Sequence, residues 1–238
     1  MYGPFIVLAT TYAALEIRGM LRSAGFVPLD WLLVGLSAAL PLVSWLDADT
    51  TLLVTMAVLA SLAWLLIRPT SERALLDWAL SLSLALYLGG FMLYYLPLRT
   101  QFPAPWPGFW VMWLMVLSWF CDSSAFFVGR AFGRTPLAPH VSPKKSLEGA
   151  VAGLIVPTLA GLLLGLALHL SPLLLAGYGL VIALATIVGD LVESLIKRQT
   201  GVKDSGVLIP GHGGLLDRMD SLLVCAPIAV LYLRAFLT

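Results

Sequence analysis

Residues 190 to 220 read "DLVESLIKRQTGVKDSGVLIPGHGGLLDRMD", with Asp190 at one end, Asp217 and Asp220 at the other, and Lys197, Arg198 and Lys203 between them. Carboxylate oxygens are the ligands that a hard divalent cation takes, and ammonium, guanidinium and backbone N–H groups are what phosphate oxygens accept from. That composition suits a site for a metal and a phosphate. On a helix, Asp190, Glu193 or Ser194, and Lys197 share one face. Such a face makes either an intrahelical salt bridge or a carboxylate edge that holds Mg²⁺ while substrate phosphate completes its shell. Gly201, Gly206, Gly211, Gly213 and Gly214 let the backbone turn tightly and approach a ligand. Lys203 and His212 add donors, and Asp217 and Asp220, three apart, face the same way if helical. A merely flexible polar loop has no use for carboxylates beside both of its flanking helix ends.

Two other segments carry polar groups among apolar neighbours. "WFCDSSAFFVGRAFGR" sets Asp122, Ser123 and Ser124 before Arg130 and Arg134. It reads equally well as a site for a hydrated ion at a helix end and as a polar cluster that ends the helix. "HVSPKKSLEGA" places Lys144 and Lys145 just before Ser146, a candidate N-cap. The lysines serve either as anchors to anionic lipid, at about 1 kcal/mol each, or as counter-charge to a substrate phosphate beside the free N–H groups of a helix start. Asp77, in the first turn of a helix, is explained by the helix dipole alone.

The elements that position these groups are membrane helices. Of 238 residues, 60% are hydrophobic and 11% charged, where a soluble domain runs near a quarter charged. Apolar runs close to the ~20 residues that cross a bilayer recur at 2–22, 29–46, 50–67, 74–96, 106–128, 147–170, 172–196 and 221–237. The expected fold is all-α, a polytopic integral membrane protein of about eight transmembrane helices in a single domain, 1–238. The first run holds Glu16 and Arg18 but lacks the basic start and cleavage site of a secretory signal, so it is read as a membrane helix. Cys121 and Cys225 lie alone in apolar runs and are read as packing residues.

Sorted by connection, twelve of the fourteen Lys and Arg residues fall on one side: Arg18, Arg22, Arg68, Arg73, Arg130, Arg134, Lys144, Lys145, Lys197, Arg198, Lys203 and Arg218. Only Arg99 and Arg234 fall on the other, with Asp47 and Asp49. The positive-inside rule makes the basic side cytoplasmic and both termini external. Along 147–170, Gly149, Gly153, Gly161 and Gly165 form a small-residue stripe for close helix packing, within one protomer in preference to a dimer contact.

The stretch from Ser194 to Asp220 resembles the signature of the phosphatidate cytidylyltransferases (CDP-diacylglycerol synthases). It matches at Ser194, Lys197-Arg198, Lys203-Asp204, Pro210, His212-Gly213-Gly214, Asp217-Arg218 and Asp220. "DSSAFFVGRAFGR" (122–134) and "SPKKSLEG" (142–149) resemble the family's other cytoplasmic elements. The resemblance runs over roughly 106–230 and fades across 1–105, leaving 106–238 as the expected catalytic helices and loops. It implies a homodimeric enzyme of the cell inner membrane, its active site facing the cytoplasm, that condenses CTP with phosphatidic acid to CDP-diacylglycerol and pyrophosphate.

The resemblance also implies Mg²⁺ held at Asp190 and Asp217, and it allows a monovalent cation such as K⁺ beside it. Asp220 is expected as a third ligand or orienter, and Lys197, Arg198 and Lys203 as catalytic cations on phosphate oxygens. Asp122, Ser123, Lys144, Lys145, Ser194, Asp204, His212, Gly213, Gly214 and Arg218 are expected to contact substrate. No nucleic-acid partner is expected. A CTP-dependent lipid-alcohol kinase and, from another class, a membrane transporter are the rival readings. The transporter is expected to bury its carboxylates at the midplane between repeats.

Overall fold

The computed structural model describes residues 2–67, 72–206 and 213–237. Arg68, Pro210, Gly211 and His212, used in the readings above, lie outside them. Two compact units emerge, one of Met1–Leu96 with Gln199–Asp217, the other of Pro97–Arg198 with Arg218–Thr238. Among the described residues, seven helices are long and apolar enough to cross a membrane.

In the first unit α1 (Tyr2–Ser23) is followed by a π-helical turn (Trp31–Gly35) that runs into α2 (Leu36–Trp45), then α3 (Thr50–Ile67) and α4 (Ala74–Met92). The expected span at 29–46 is thus five residues of π-turn and ten of α-helix, about 22 Å of rise against a hydrocarbon layer of about 30 Å. Among the described residues the eight expected apolar runs thus appear as seven helices of bilayer length and one shorter helix. Pro28 holds off its start, and Asp47, at φ 54°, turns the chain out of its last turn. Asp49 then caps α3, its Oδ1 accepting from Thr51 N at 2.8 Å and Leu52 N at 3.1 Å. Leu32, Leu36, Leu40 and Ala85 form a buried core between α2 and α4.

Asp77 has more to do than favour a helix dipole. It is 5% exposed, and its Oδ1 accepts from Val27 N at 3.2 Å. One turn on, Ser81 Oγ accepts from Leu29 N at 2.9 Å. These two bonds pair backbone N–H groups of the half-exposed α1–α2 connection with side chains of α4.

The second unit holds the short α5 (Tyr95–Thr100, which starts in the first unit), α6 (Phe109–Phe132), a hairpin of β1 (Pro136–Ala138) and β2 (Ser142–Ser146), α7 (Leu147–Ala167), α8 (Pro172–Gln199) and most of α9 (Leu216–Leu237). α6 continues ten residues beyond Asp122 before Gly133 ends it, so Asp122 lies within the helix and not at its end. The glycine stripe packs inside this unit: a Cβ on Gly161 would fall 2.0 Å from Leu175 O of α8, and one on Gly179 of α8 would fall 2.3 Å from Pro157 O of α7. Absent side chains let these two backbones touch. Both cysteines are free and buried. At the end of the unit away from the charged groups, Trp110, Tyr178 and Tyr232 stack edge to face, and Tyr178 donates to Trp110 O at 3.2 Å.

Candidate active site

The hairpin, unexpected from sequence, is fixed at its base by a single carboxylate. Glu148, in the first turn of α7, accepts from Arg134 N at 3.1 Å, Thr135 N at 3.2 Å and Thr135 Oγ1 at 3.0 Å. Ser146 caps α7 by accepting from Gly149 N at 3.2 Å, as its place in "KKSLEG" predicts. β2 is thereby held as an extension of the α7 start, and Lys144 and Lys145 project from it beside α6 and α8.

Those three elements enclose a cleft of about 460 Å³. Its lining mixes the polar Asp122, Arg130, Ser142, Lys145 and Asp190 with the apolar Phe126, Leu137 and Ile187. Lys145 and Asp190 form an ion pair, with side chains 27% and 29% exposed. Asp190 Oδ1 also accepts from Ser194 Oγ at 3.4 Å. One turn further along α8, Lys197 pairs with Glu193 at 2.8 Å, the carboxylate being 2% exposed, and Arg198 Nε donates to Val141 O of the hairpin at 3.4 Å. Ser123 is exposed next to Asp122.

Asp122 of α6, Asp190 of α8 and Asp220 of α9 lie within range of one another's charge, as do Lys145 and Lys197. Three helix-borne acids and two ammonium groups are therefore brought to one end of this unit. Below them a buried polar seam locks the helices: Thr186 Oγ1 donates to Ser118 Oγ at 3.2 Å, and Ser118 Oγ to Ser221 Oγ at 3.4 Å.

The first unit holds the other part of the motif. α9 begins at Leu216, five residues before the expected 221, so "DRMD" is helical and Asp217 sits in its first turn. Asp217 Oδ2 accepts from Ser205 N at 2.9 Å, Ser205 Oγ at 2.9 Å and Gly214 N at 2.7 Å. Glu16 of α1, a residue outside the sequence-based site, accepts from Ser205 Oγ at 3.1 Å, Leu215 N at 2.9 Å and Leu216 N at 2.8 Å. Lys203, Asp204 and Arg218 are exposed. Asp190 and Asp217 belong to different units, and His212 lies outside the described residues.

Among the described residues, no three His, Cys, Asp or Glu side chains are gathered closely enough to enclose a metal ion by themselves. Acids at Asp122, Asp190 and Asp220 still offer the hard oxygen ligands that Mg²⁺ prefers, and Mg²⁺ ordinarily takes its remaining positions from water and substrate phosphate. The donor set fits an ion shared with substrate, not one caged by protein.

The model of the cytidylyltransferase family matches residues 2–236, nearly the whole chain. The chain belongs to that family. The match takes in α1 to α4 as well as the 106–230 stretch that carries the resemblance. Among the chain's relatives, the phosphatidate cytidylyltransferase of Haemophilus influenzae is 46% identical over 128 residues, covering 50% of this chain and 43% of that protein. That of Helicobacter pylori is 43% identical over 114 residues, 48% of this chain and 42% of that protein. The Thermotoga maritima enzyme of the same name is 35% identical over 156 residues, 63% of this chain and 56% of that protein. The matched part thus spans about half the length of these relatives.

Sequence reasoning missed the Lys145–Asp190 pair, the Glu148 anchor and Glu16. For Glu148 a signal existed, an acid in the first turn of a helix, where the dipole favours it. For Glu16 the signal was its cost: a carboxylate inside an apolar run needs a partner.

Proposed function

We propose that this cytidylyltransferase condenses CTP with phosphatidate, giving CDP-diacylglycerol and pyrophosphate. The observation that carries the reading is the cleft of the second unit, whose lining combines Lys144, Lys145 and Arg130 with apolar Phe126, Leu137 and Ile187. Cations beside a greasy wall suit a ligand with a phosphate head and an acyl tail.

In the reaction a phosphatidate oxygen forms a bond to the α-phosphorus of CTP, and the bond from that phosphorus to the β-phosphate oxygen breaks, releasing pyrophosphate. The attacking oxygen is already ionised, so no general base is required. The obstacle is the meeting of two polyanions, and stabilisation is mainly electrostatic. Lys145 holds a phosphate oxygen, and Asp190, paired with it, fixes where its ammonium points. Lys144 and Arg130 neutralise the second anion at the cleft mouth. Lys197, steadied by Glu193, and Arg198, steadied by the hairpin carbonyl, face the leaving phosphates, with Lys203 supplied from the loop. Asp190, Asp217 and Asp220 are the carboxylates proposed as donors to a bound Mg²⁺, with a K⁺ as a further cation, and the metal would supply further charge neutralisation on the triphosphate.

The working form is a homodimer in the inner membrane, with the polar ends at the cytoplasm and both termini outside. In support, Asp77 at the start of α4 accepts from Val27 N of the α1–α2 connection, and Glu16 of α1 accepts from Leu215 N, both within the first unit. The hairpin, the α8 terminus and the start of α9 meet at one end of the second.

The test is transfer from CTP labelled at the α-phosphorus or at the γ-phosphorus, with purified protein and phosphatidate. Label should enter lipid from the α position only, with pyrophosphate released. Label entering lipid from the γ position would make the protein a kinase. No transfer at all, with solute uptake into sealed vesicles, would make it a transporter.

A further inference from the structure

We propose that Glu16 is a positioning residue for the proposed transfer reaction: from α1 it clamps the two ends of the 207–212 segment and so sets the start of α9, where Asp217 stands. Glu16 is 9% exposed in the body of an otherwise apolar helix, a place where a carboxylate is retained only if its partners compensate for lost water. Its partners come from both sides of the segment. Before it, Ser205 Oγ donates to Oε2 at 3.1 Å. After it, Leu215 N donates to Oε1 at 2.9 Å and Leu216 N to Oε2 at 2.8 Å. Those two amides belong to the first turn of α9 and its approach, where backbone donors have no partner within the helix.

Asp217 answers from the other direction, receiving Ser205 N, Ser205 Oγ and Gly214 N on a single oxygen. Ser205 Oγ lies within hydrogen-bonding distance of both carboxylates, its one proton serving either Glu16 or Asp217, while Ser205 N serves Asp217. The glycines on either side fit the same clamp. A Cβ on Gly206 would fall 2.6 Å from Glu16 Oε1, and one on Gly214 would fall 2.5 Å from it. Both backbones come so close to the carboxylate that any side chain would push it away. The second glycine of "HGG" is thus accounted for by packing on α1. All these residues belong to the first unit.

The clamp rests on the proposed function only for its effect on turnover, so the test reads both levels. The full chain is purified in lipid nanodiscs as wild type, Glu16→Gln and Ser205→Ala. Amide exchange over peptides covering 213–217 is measured beside the kinetics of transfer from CTP to phosphatidate. In Glu16→Gln a carboxamide nitrogen must face a backbone N–H, so exchange at Leu215 and Leu216 should rise about tenfold or more. The kcat should fall by about 10- to 100-fold, as for an ångström-scale misplacement, with KM for phosphatidate held within about twofold. Ser205→Ala, which leaves Leu215 and Leu216 bonded to Glu16, should show a smaller change of the same kind. It remains informative if Glu16→Gln does not fold.

Unchanged exchange at 215 and 216 in Glu16→Gln would overturn the clamp. Faster exchange with unchanged kcat would overturn its positioning role. A wild-type protein that makes no CDP-lipid would overturn the functional reading alone, and the exchange comparison would still decide the clamp.

Discussion

Lys145→Met separates what the Lys145–Asp190 pair does for the fold from what it does for the reaction. Both side chains are a little over one-quarter exposed, so water screens the pair and its share of stability is at most about 1 kcal/mol. For a chain of this size that corresponds to a melting shift of about 2–4 °C. A hydrogen bond from an ammonium to a phosphate oxygen contributes about 1.5–3 kcal/mol, so kcat/KM for CTP should fall about 10- to 150-fold. The assay is initial-rate transfer from α-labelled CTP, with thermal unfolding followed on the same preparation. Lys144→Met is the control: Lys144 lines the cleft without that ion pair, and its loss should cost several-fold less. A kcat/KM for Lys145→Met within about threefold of wild type, beside a melting loss much larger than 4 °C, would refute the reasoning. The ammonium would then be a structural brace, with no part in binding phosphate.

Ser146→Ala removes the cap of α7 and should cost about 1 kcal/mol, read as a lower melting temperature. Gly161→Ala should cost about 1–3 kcal/mol or more, because its methyl would meet Leu175 O of α8. Gly19→Ala, where nothing lies within 4 Å, should be neutral or stabilise by up to about 1 kcal/mol, and the two variants are compared in the same unfolding series. For orientation, cysteines introduced at Asp47 and at Lys203 should differ in intact spheroplasts. An impermeant maleimide should label the first only, with little background from the buried Cys121 and Cys225.

Helices α3, α6, α7 and α8 were legible because a bilayer-length apolar run needs no tertiary information. The cap at Ser146 and the Glu193–Lys197 pair were legible for a related reason, being written in spacings of three and four residues. The second run, 29–46, is bounded by Pro28 and by the backbone turn at Asp47 and is the one that forms a shorter helix. The hairpin was not legible, because "TPLAPHVSPKK" carries three prolines, Pro136, Pro139 and Pro143, and no alternating pattern. Its register is imposed from outside by Glu148. Lys145–Asp190 and Glu16–Leu216 join residues 45 and 200 positions apart, with no local periodicity to announce either. Asp217 was picked out as a ligand by its type, and its bonds to Ser205 and Gly214 are a part that residue type alone does not carry.

The most direct test is turnover of Asp190→Asn and of Asp217→Asn, each with melting temperature measured alongside and each assayed for label passing from the α-phosphorus of CTP into phosphatidate. On the proposed reading, in which each carboxylate is a donor to Mg²⁺, both proteins should remain folded and lose about a hundredfold or more of kcat. Turnover near that of wild type in both folded variants would contradict the assignment of the transfer site to these acids.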